Sequence, residues 1–325
     1  MNKNTELKPG TIAAAIASPQ LPFIAAGDLR SDLDLARQEL QDLLALAADV
    51  KRQPALYSEA LRGKYLSILF EKPSLRTRLT FELAIKQLGG DAVASTGMIG
   101  DREPVQDMAR NLDRWTQCIV ARVFAQQTID DLAQWSRVPV INALSDLYHP
   151  CQAFADMQTI VERFGSCQGK KLAFAGDGNN VAHSLLLTGS QLGMHIAVAA
   201  PVGFEPNPSI VAKARAIAAN NGGAVTVTNA VEEAADGAHV IYTDVWASMG
   251  QEIEAEQRKR IFARYQVNSK LMMRAASDAI FLHCLPAKRG QEVTDEIMES
   301  GQSAIFDQAE NRLHAQKALL LMLMR

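Results

Sequence analysis

The sequence predicts an α/β protein of two domains, each built on a parallel β-sheet, with an active site in the cleft between them. Short apolar runs alternate with segments whose apolar residues recur at helical spacing, from residue 65 to the C-terminus. Such alternation is typical of parallel sheets covered by helices. A chain of 325 residues is also long enough for two domains of ordinary size. Clusters of polar residues directly follow several apolar runs, and α/β proteins bind their ligands at these strand ends.

The predicted elements divide the chain into three parts. Residues 1–25 are rich in Ala and Pro, and we expect them to form a loosely ordered extension. The first domain comprises residues 26–150 together with a C-terminal helix at 308–325, and the second comprises 151–307. Ser31 is predicted to cap a first helix that continues to about residue 50. A last strand is predicted at 303–306, directly before the C-terminal helix.

Charge, hydropathy and cysteine usage exclude several classes of function. The net charge is −3, so the chain has no overall positive field that would attract nucleic acid or an anionic membrane. No apolar run is long enough to span a bilayer, and the first residues lack the apolar stretch of a signal peptide. We therefore expect a cytoplasmic protein. Its cysteines lack CxxC spacing and are predicted to be reduced thiols that form no zinc site; they are Cys118, Cys151, Cys167 and Cys284.

An octapeptide at 71–78 joins the apolar run 65–70 to a helical pattern. It is predicted to be a strand-to-helix turn in which Ser74 caps the helix. Arg76 and Arg78 add positive charge at a helix N-terminus, which itself favours anions. The turn therefore suits a doubly charged phosphate. The alternative is a solvated basic turn that binds no ligand.

Three further polar clusters follow predicted strands, at 176–180, 244–250 and 283–286. Their shared placement predicts one ligand site at neighbouring strand ends. The first cluster invites a dinucleotide interpretation. However, Val181 stands where GxGxxG requires its third glycine, and no acidic residue ends the next strand to bind a ribose. A tight turn capped by the asparagines of the cluster explains the same residues.

Four single residues each keep two interpretations. Asp244 could hold a substrate ammonium group or cap a following helix. A nearby cation could make the Cys284 thiol ionisable, or the side chain could be a small buried apolar group. His149 could donate a hydrogen bond to a polarised carbonyl or cap the helix that follows it. Arg122 ends a strand and is too costly to bury alone, so it should pair with a carboxylate or bind an anionic ligand.

Taken together, these motifs resemble those of the aspartate and ornithine carbamoyltransferase family. The segment Ser74-Leu75-Arg76-Thr77-Arg78 is similar to the family's SxRTR signature for carbamoyl phosphate, and His149-Pro150-Cys151-Gln152 is similar to its HPxQ motif. The resemblance covers about residue 22 to the C-terminus. Segments that resemble the ornithine branch in particular lie at 176–180, 244–250, 283–286 and 310–312.

The resemblance implies carbamoyl transfer from carbamoyl phosphate to the δ-amine of L-ornithine, giving L-citrulline and phosphate without a metal or an organic cofactor. It assigns carbamoyl phosphate to the first domain and ornithine to the second. The implied catalytic residues are Arg122, His149, Asp244 and Cys284. The implied contacts of carbamoyl phosphate are Ser74, Leu75, Arg76, Thr77, Arg78, Arg122, His149, Gln152, Cys284, Leu285 and Arg312. The implied contacts of ornithine are Asn180, Asp244, Ser248 and Met249.

One loop departs from the family pattern. Met98 stands where the family carries a Gln or His that reaches the carbamoyl phosphate of a neighbouring subunit, and a methionine cannot make that hydrogen bond. The resemblance still implies a homotrimer, or a higher multiple of it, that acts in arginine metabolism and amino-acid biosynthesis. Two alternatives stay open: a carbamoyltransferase for an N-acylated ornithine or putrescine, and a catalytically silent regulatory homologue.

Overall fold

A computed structural model describes residues 21–247 and 254–324, which form two β-sheets covered by helices. The strands of the first sheet are β1 (Tyr65–Phe70), β2 (Asp91–Thr96), β3 (Cys118–Arg122) and β4 (Val140–Leu144). Those of the second are β5 (Lys171–Ala175), β6 (His195–Ala199), β7 (Ala224–Thr228), β8 (Val240–Thr243) and β9 (Ile280–His283). All pairings between these strands are parallel, which confirms the predicted fold class.

Helices connect the parallel strands, as crossover connections require. The helices of the first half are α1 (Arg37–Arg52), α2 (Leu75–Gln87), α3 (Val105–Trp115), α4 (Gln126–Trp135) and α5 (Pro150–Phe164). Those of the second half are α6 (Asn180–Gln191), α7 (Pro208–Asn221), α8 (Val231–Ala235), α9 (Ala255–Phe262), α10 (Ser269–Met272), α11 (Asp295–Met298) and α12 (Ile305–Leu323). Proline at the first position of α5 and the left-handed Gly165 at its end match the usual preferences for helix starts and stops.

The order of strands places a crevice at the carboxyl edge of each sheet. The first sheet has the order β2-β1-β3-β4, and the second has the order β7-β6-β5-β8-β9. The chain therefore leaves in opposite directions after β1 and β3, and again after β5 and β8. Ligands of α/β proteins bind at such switch points because the loops diverge there. Three of the four predicted polar clusters, at 71–78, 176–180 and 244–250, begin after β1, β5 and β8.

Helices α5 and α12 connect elements of the two sheets. Helix α12 packs on α1, α2 and α5 and reaches β9, while α5 contacts β4 and α6. Both helices are buried on nearly every face, including 150–160 of α5 and 315–322 of α12. Buried polar side chains on these helices are shielded from solvent, and several of them pair with one another. That constraint shapes the site described below.

Two predicted elements differ from the structure. Residues 303–306 are not a strand: Ser303 forms a single bridge to Phe281, and Ile305 already begins α12. The first helix is divided, because Ser31 caps only a short 3-10 turn at Asp32–Asp34. Residues 35 and 36 are then extended, and the carboxylate of Glu39 accepts from the Ala36 amide where α1 begins.

Part of the predictions lies outside the described residues. These are most of the N-terminal extension and, in the segment after β8, Ser248 and Met249. In the part of the chain that the structure does describe, no helix combines the length and apolar character that crossing a membrane requires.

Candidate active site

A cleft of about 670 Å³ opens where the carboxyl ends of the two sheets face each other. It brings together residues from the segments that follow β1, β8 and β9, from the ends of β3 and β4, and from α2, α6, α9 and α12. The predicted residues that line it are Ser74, Leu75, Arg76, Thr77, Arg122, His149, Asn180, Asp244, Cys284, Leu285 and Arg312. Residues that are far apart in the sequence thus meet in one cavity.

The turn after β1 begins α2 as the sequence predicts. Ser74 occupies the N-cap position, and its hydroxyl accepts a hydrogen bond from the Thr77 amide at 3.3 Å. The other amide groups of this first turn carry the positive end of the helix dipole. Arg76 lies half-buried beside them, and burial lowers the pKa of its guanidinium. The first turn of α2 contains no acidic residue, so the turn is suited to bind an anion.

Arg78, in contrast, lies outside the cleft. Its Nε donates to Glu82 Oε1 at 2.8 Å, one helical turn further along α2. Positions two apart on a helix point in directions about 200° apart, so Arg76 and Arg78 cannot face the same ligand. The guanidinium of Arg78 is instead paired with Glu82 on the helix surface. This corrects the expectation that Arg78 contacts the phosphate.

Arg122 is buried at the end of β3 without a balancing charge. Among the described residues it forms no ion pair, and its Nε has no hydrogen-bond partner. Burial, together with the nearby guanidinium of Arg312, lowers the pKa of Arg122 to about 10. The side chain is therefore still a cation at neutral pH. Of the two predicted outcomes for Arg122, pairing with a carboxylate is not found among the described residues, which favours an anionic ligand.

His149 precedes α5 but does not cap it. Its side chain makes no capping hydrogen bond, and its buried Nδ1 has no partner. The backbone amide of His149 donates to Ser184 Oγ at 2.8 Å, which fixes the start of the helix against α6. Burial, then Arg312 and Arg122, holds the pKa of His149 well below its usual value. A neutral imidazole therefore faces the cleft, able to donate one hydrogen bond without adding charge.

Arg312 reaches the cleft from α12 and is held on two sides. Its Nη1 donates to Gln152 Oε1 at 2.6 Å, and its Nη2 donates to Thr77 Oγ1 at 3.0 Å. Gln152 is fully buried and lies behind Arg312, so it is not among the residues that line the cleft. The structure therefore places Gln152 as a support of Arg312, whereas the sequence predicted a direct contact with the substrate.

Asp244, at the end of β8, is held in a fixed orientation by three donors. Its Oδ1 accepts from Cys284 Sγ at 2.9 Å and from the amide of Val245 at 2.7 Å. Its Oδ2 accepts from Asn179 Nδ2 at 2.7 Å. Burial and the Asp244 carboxylate raise the pKa of the Cys284 thiol well above its usual value, and Arg76 offsets this only in part. The hypothesis of an ionisable Cys284 is therefore wrong: the thiol is a hydrogen-bond donor.

The two asparagines after β5 have different tasks. Asn179 caps α6, as the tight-turn interpretation predicted, while Asn180 lines the cleft and donates to the Ser145 carbonyl at 2.6 Å. Gly178 lies against the chain at Pro206, where an added Cβ would lie 2.2 Å from the backbone nitrogen. This glycine serves close packing within the domain, which removes a main support of the dinucleotide interpretation.

One group of three side chains in the described parts of the chain has the spacing of metal ligands. Donor atoms of Asp244, His283 and Cys284 lie within 4.8 Å of one another. Each of them already has a protein partner: His283 Nδ1 accepts from the Leu285 amide at 2.8 Å, and Nε2 lies 3.3 Å from Glu292. A cation would have to displace these hydrogen bonds, so the group is better described as part of the hydrogen-bonded wall of the cleft.

The sequence interpretation missed several residues of the site. Lys72 and Lys288 line the cleft and add positive charge at its edge. Asn179 orients Asp244, and Asp156 lies behind Gln152 in the buried interior. Only Lys72 and Asn179 had a usable signal, because each belongs to a polar cluster that follows a strand.

Comparison with known proteins places this site in a family. Residues 28–162 match the carbamoyl-P binding domain of the aspartate/ornithine carbamoyltransferases, and residues 168–323 match their Asp/Orn binding domain. A protein named ornithine carbamoyltransferase from Symbiobacterium thermophilum is 50% identical over 90% of this chain and 96% of its own length. The chain therefore belongs to the aspartate/ornithine carbamoyltransferase family.

Solved structures point to the ornithine branch. The ornithine carbamoyltransferase from Pyrococcus furiosus has a TM-score of 0.90 and 45% identity, over 93% of this chain and 98% of its own. That from Thermus thermophilus has a TM-score of 0.84 and 46% identity, over 92% and 99%. An N-acetyl-L-ornithine transcarbamylase also shares the fold, with a TM-score of 0.83, but its identity is only 30%, over 91% and 99%.

Proposed function

We propose that this protein transfers the carbamoyl group of carbamoyl phosphate to the δ-amine of L-ornithine, giving L-citrulline and phosphate. The observation that carries this proposal is a cleft with three arginines, Arg76, Arg122 and Arg312, none of which is paired with a carboxylate among the described residues. Buried cations of this kind require an anionic ligand. A single oriented carboxylate, Asp244, faces them and offers a site for a cationic amino acid.

The phosphate is assigned to the turn after β1. The hydroxyls of Ser74 and Thr77, the amide groups of Leu75 and Arg76 and the guanidinium of Arg76 are its proposed contacts. Phosphate carries most of its charge on oxygens that accept several hydrogen bonds, and a helix start beside an arginine offers both donors and charge. This assignment also explains why α2 lacks acidic residues in its first turn.

The carbonyl oxygen of the carbamoyl group is assigned to Arg122, His149 and Arg312. Attack by an amine converts the trigonal carbon into a tetrahedral intermediate with an oxyanion. Preorganised donors that surround this oxygen lower the barrier most, because they need no reorganisation during the reaction. A neutral His149 contributes a directional hydrogen bond, while the arginines contribute positive charge.

Ornithine is assigned to the β5 and β8 side of the cleft. Asp244 and Asn180 are proposed contacts, and Ser248 and Met249 are added from the family resemblance alone. The attacking amine must be neutral, although such an amine is protonated at neutral pH. The protonated Cys284 cannot accept that proton, so its proposed role is to orient Asp244. The δ-ammonium therefore loses one proton to solvent, and the neutral amine forms the new C–N bond. The C–O bond to the phosphate then breaks, and the second proton of the attacking nitrogen leaves with the departing phosphate.

The assembly and setting of the enzyme are proposed from the family resemblance. We propose a homotrimer in the cytoplasm that acts in arginine metabolism. Met98 supports an intermolecular role for its loop, because a large apolar side chain is 56% exposed there, beside Arg102. Sedimentation analysis of the purified protein measures the assembly state; a monomer with full activity would refute the trimer.

Citrulline formation tests the reaction directly. Purified protein is assayed with carbamoyl phosphate and, in separate reactions, L-ornithine, N-acetyl-L-ornithine and putrescine. The proposal predicts turnover with ornithine and a value of kcat/KM at least tenfold higher than with either alternative amine. Preference for an acylated ornithine or putrescine would redirect the proposal to that amine. Absence of turnover with all three would refute the transfer reaction.

A further inference from the structure

A buried polar network lies beneath the cleft, centred on Asp156 of α5. Its carboxylate is completely buried. Oδ1 accepts from Gln152 Nε2 at 2.9 Å and from Gln308 Nε2 at 2.6 Å, and the Tyr242 hydroxyl lies 3.2 Å from Oδ2. One carboxylate thus collects donors from α5, α12 and β8, which join the two halves of the molecule.

The carboxylate determines which way the Gln152 amide faces. An ionised carboxylate only accepts hydrogen bonds, so it binds the NH2 group of the amide. The opposite end, Gln152 Oε1, is thereby turned toward Arg312, whose Nη1 donates to it at 2.6 Å. A reversed amide would bring two donors face to face, which is repulsive. Asp156 therefore stabilises one of two nearly isosteric orientations of Gln152.

The effect reaches the cleft through Arg312. This buried side chain has no partner at Nε, so Gln152 and Thr77 are the groups that hold its guanidinium. We propose that Asp156 is a positioning residue for the carbamoyl-phosphate site, because it orients Gln152 and through Gln152 holds Arg312 against Thr77. The inference rests on the proposed function, since it assigns Arg312 to carbamoyl phosphate.

The test uses Asp156→Ala in the full-length protein. The substitution removes both carboxylate oxygens, so Gln152 Nε2 loses the acceptor that fixes its amide orientation. Loss of a hydrogen bond to a charged group predicts a rise of about ten- to a hundredfold in the KM for carbamoyl phosphate. The KM for ornithine should stay within about twofold, because Asp244 and Asn180 keep their contacts. Burial raises the pKa of Asp156 to about 7, so the assays are run at pH 8.5, where the carboxylate is ionised.

Asp113→Ala is the matched control. The Asp113 side chain is 1% exposed and binds Arg137 on the far side of the first sheet, away from the cleft. Its loss should lower thermal stability without changing either KM. A folded Asp156→Ala protein with the wild-type KM for carbamoyl phosphate overturns the proposal. An equal rise in the KM of the Asp113→Ala protein also overturns it, because the effect would then come from general destabilisation.

A second variant covers the case in which Asp156→Ala does not fold. Gln152→Leu removes the oxygen that holds Arg312, while Gln308 and Tyr242 still donate to Asp156, and it should raise the same KM. A wild-type KM in this variant overturns the proposal. If the wild-type protein forms no citrulline, the proposed function has failed; titration of the same variants with inorganic phosphate then tests the network. A loss of phosphate affinity of about tenfold in these variants supports the positioning role of Asp156, and unchanged phosphate affinity overturns that role.

Discussion

Arg122 offers a sharp test of whether the cleft is built around a missing anion. The side chain is buried at the end of β3, pairs with no described carboxylate and has an unpartnered Nε. Its environment lowers its pKa from 12.5 to about 10. A pKa shift of this size means that burying the charged form of Arg122 lowers the free energy of unfolding at neutral pH by about 3 kcal/mol. Replacing Arg122 with Met should therefore stabilise the ligand-free protein, by up to that amount.

Arg258 is the matched control for this prediction. It is equally buried, but its Nη1 donates to Asp177 Oδ2 at 2.8 Å and to the Trp246 carbonyl at 2.9 Å. Replacing Arg258 with Met leaves Asp177 buried without its cation. Breaking a buried pair in this way costs about 3 kcal/mol or more. The same chemical change should thus have opposite signs at the two positions.

Urea denaturation at pH 7, with and without inorganic phosphate, provides the measurement. A phosphate concentration a hundred times the Kd should stabilise the wild-type protein by about 2.7 kcal/mol. The Arg122→Met protein should start from a higher stability and gain less on adding phosphate, because one positive charge near Arg76 is removed. If Arg122→Met is instead less stable than the wild type in the absence of ligand, the reasoning about an unbalanced buried charge is refuted.

Three other perturbations follow from the site. Asn179→Ala removes the α6 cap and should lower stability by about 1 kcal/mol. In initial-rate assays it should also raise the KM for ornithine, because Asn179 orients Asp244, and leave the KM for carbamoyl phosphate unchanged. Cys284 should react with iodoacetamide at least tenfold more slowly than a free thiol, and Asp244→Asn should accelerate this reaction. Mass spectrometry measures the alkylation, and fast alkylation of Cys284 in the wild-type protein would contradict the conclusion that its thiol is protonated. Because folding lowers the pKa of His149, stability should fall as pH drops below about 6.5. When the pH falls from 7 to 5, the free energy of unfolding should drop by up to about 2 kcal/mol less in His149→Gln than in the wild type. Urea denaturation measures both drops, and equal drops would refute the role of His149 in this pH dependence.

The strands and most of the cleft could be predicted because their signals are local. A buried parallel strand is a short apolar run. Strands β1, β5 and β8 are such runs with polar residues directly after them, and β3 is such a run that ends in Arg122. Their parallel pairing then brings those polar residues to one edge. For this reason Arg76, Asp244 and Cys284 could be assigned to one site before their distances were known, whereas Arg122 and His149 were assigned to it by the family resemblance.

Other features depended on contacts that the sequence does not reveal. Asp156 stands among apolar neighbours on α5, and only the arrival of Tyr242 and Gln308 from distant parts of the chain gives it three donors. The state of Cys284 depended on which charge lies nearer its sulfur, the Asp244 carboxylate or a guanidinium. Arg78 was misassigned because a motif gives the residues of a helix start but not the direction in which each side chain points.

A structure with a bisubstrate analogue bound is the most direct test of the central claim, that one cleft holds carbamoyl phosphate and ornithine in a reactive arrangement. In phosphonoacetyl-L-ornithine, a phosphonate and an amide replace the phosphate and the reacting bond. The account predicts the phosphonate within hydrogen-bond distance of Ser74 and Thr77, the amide oxygen at Arg122, and the ornithine moiety beside Asp244. A phosphonate bound away from the turn at 74–77, or an ornithine moiety that does not approach Asp244, would contradict it.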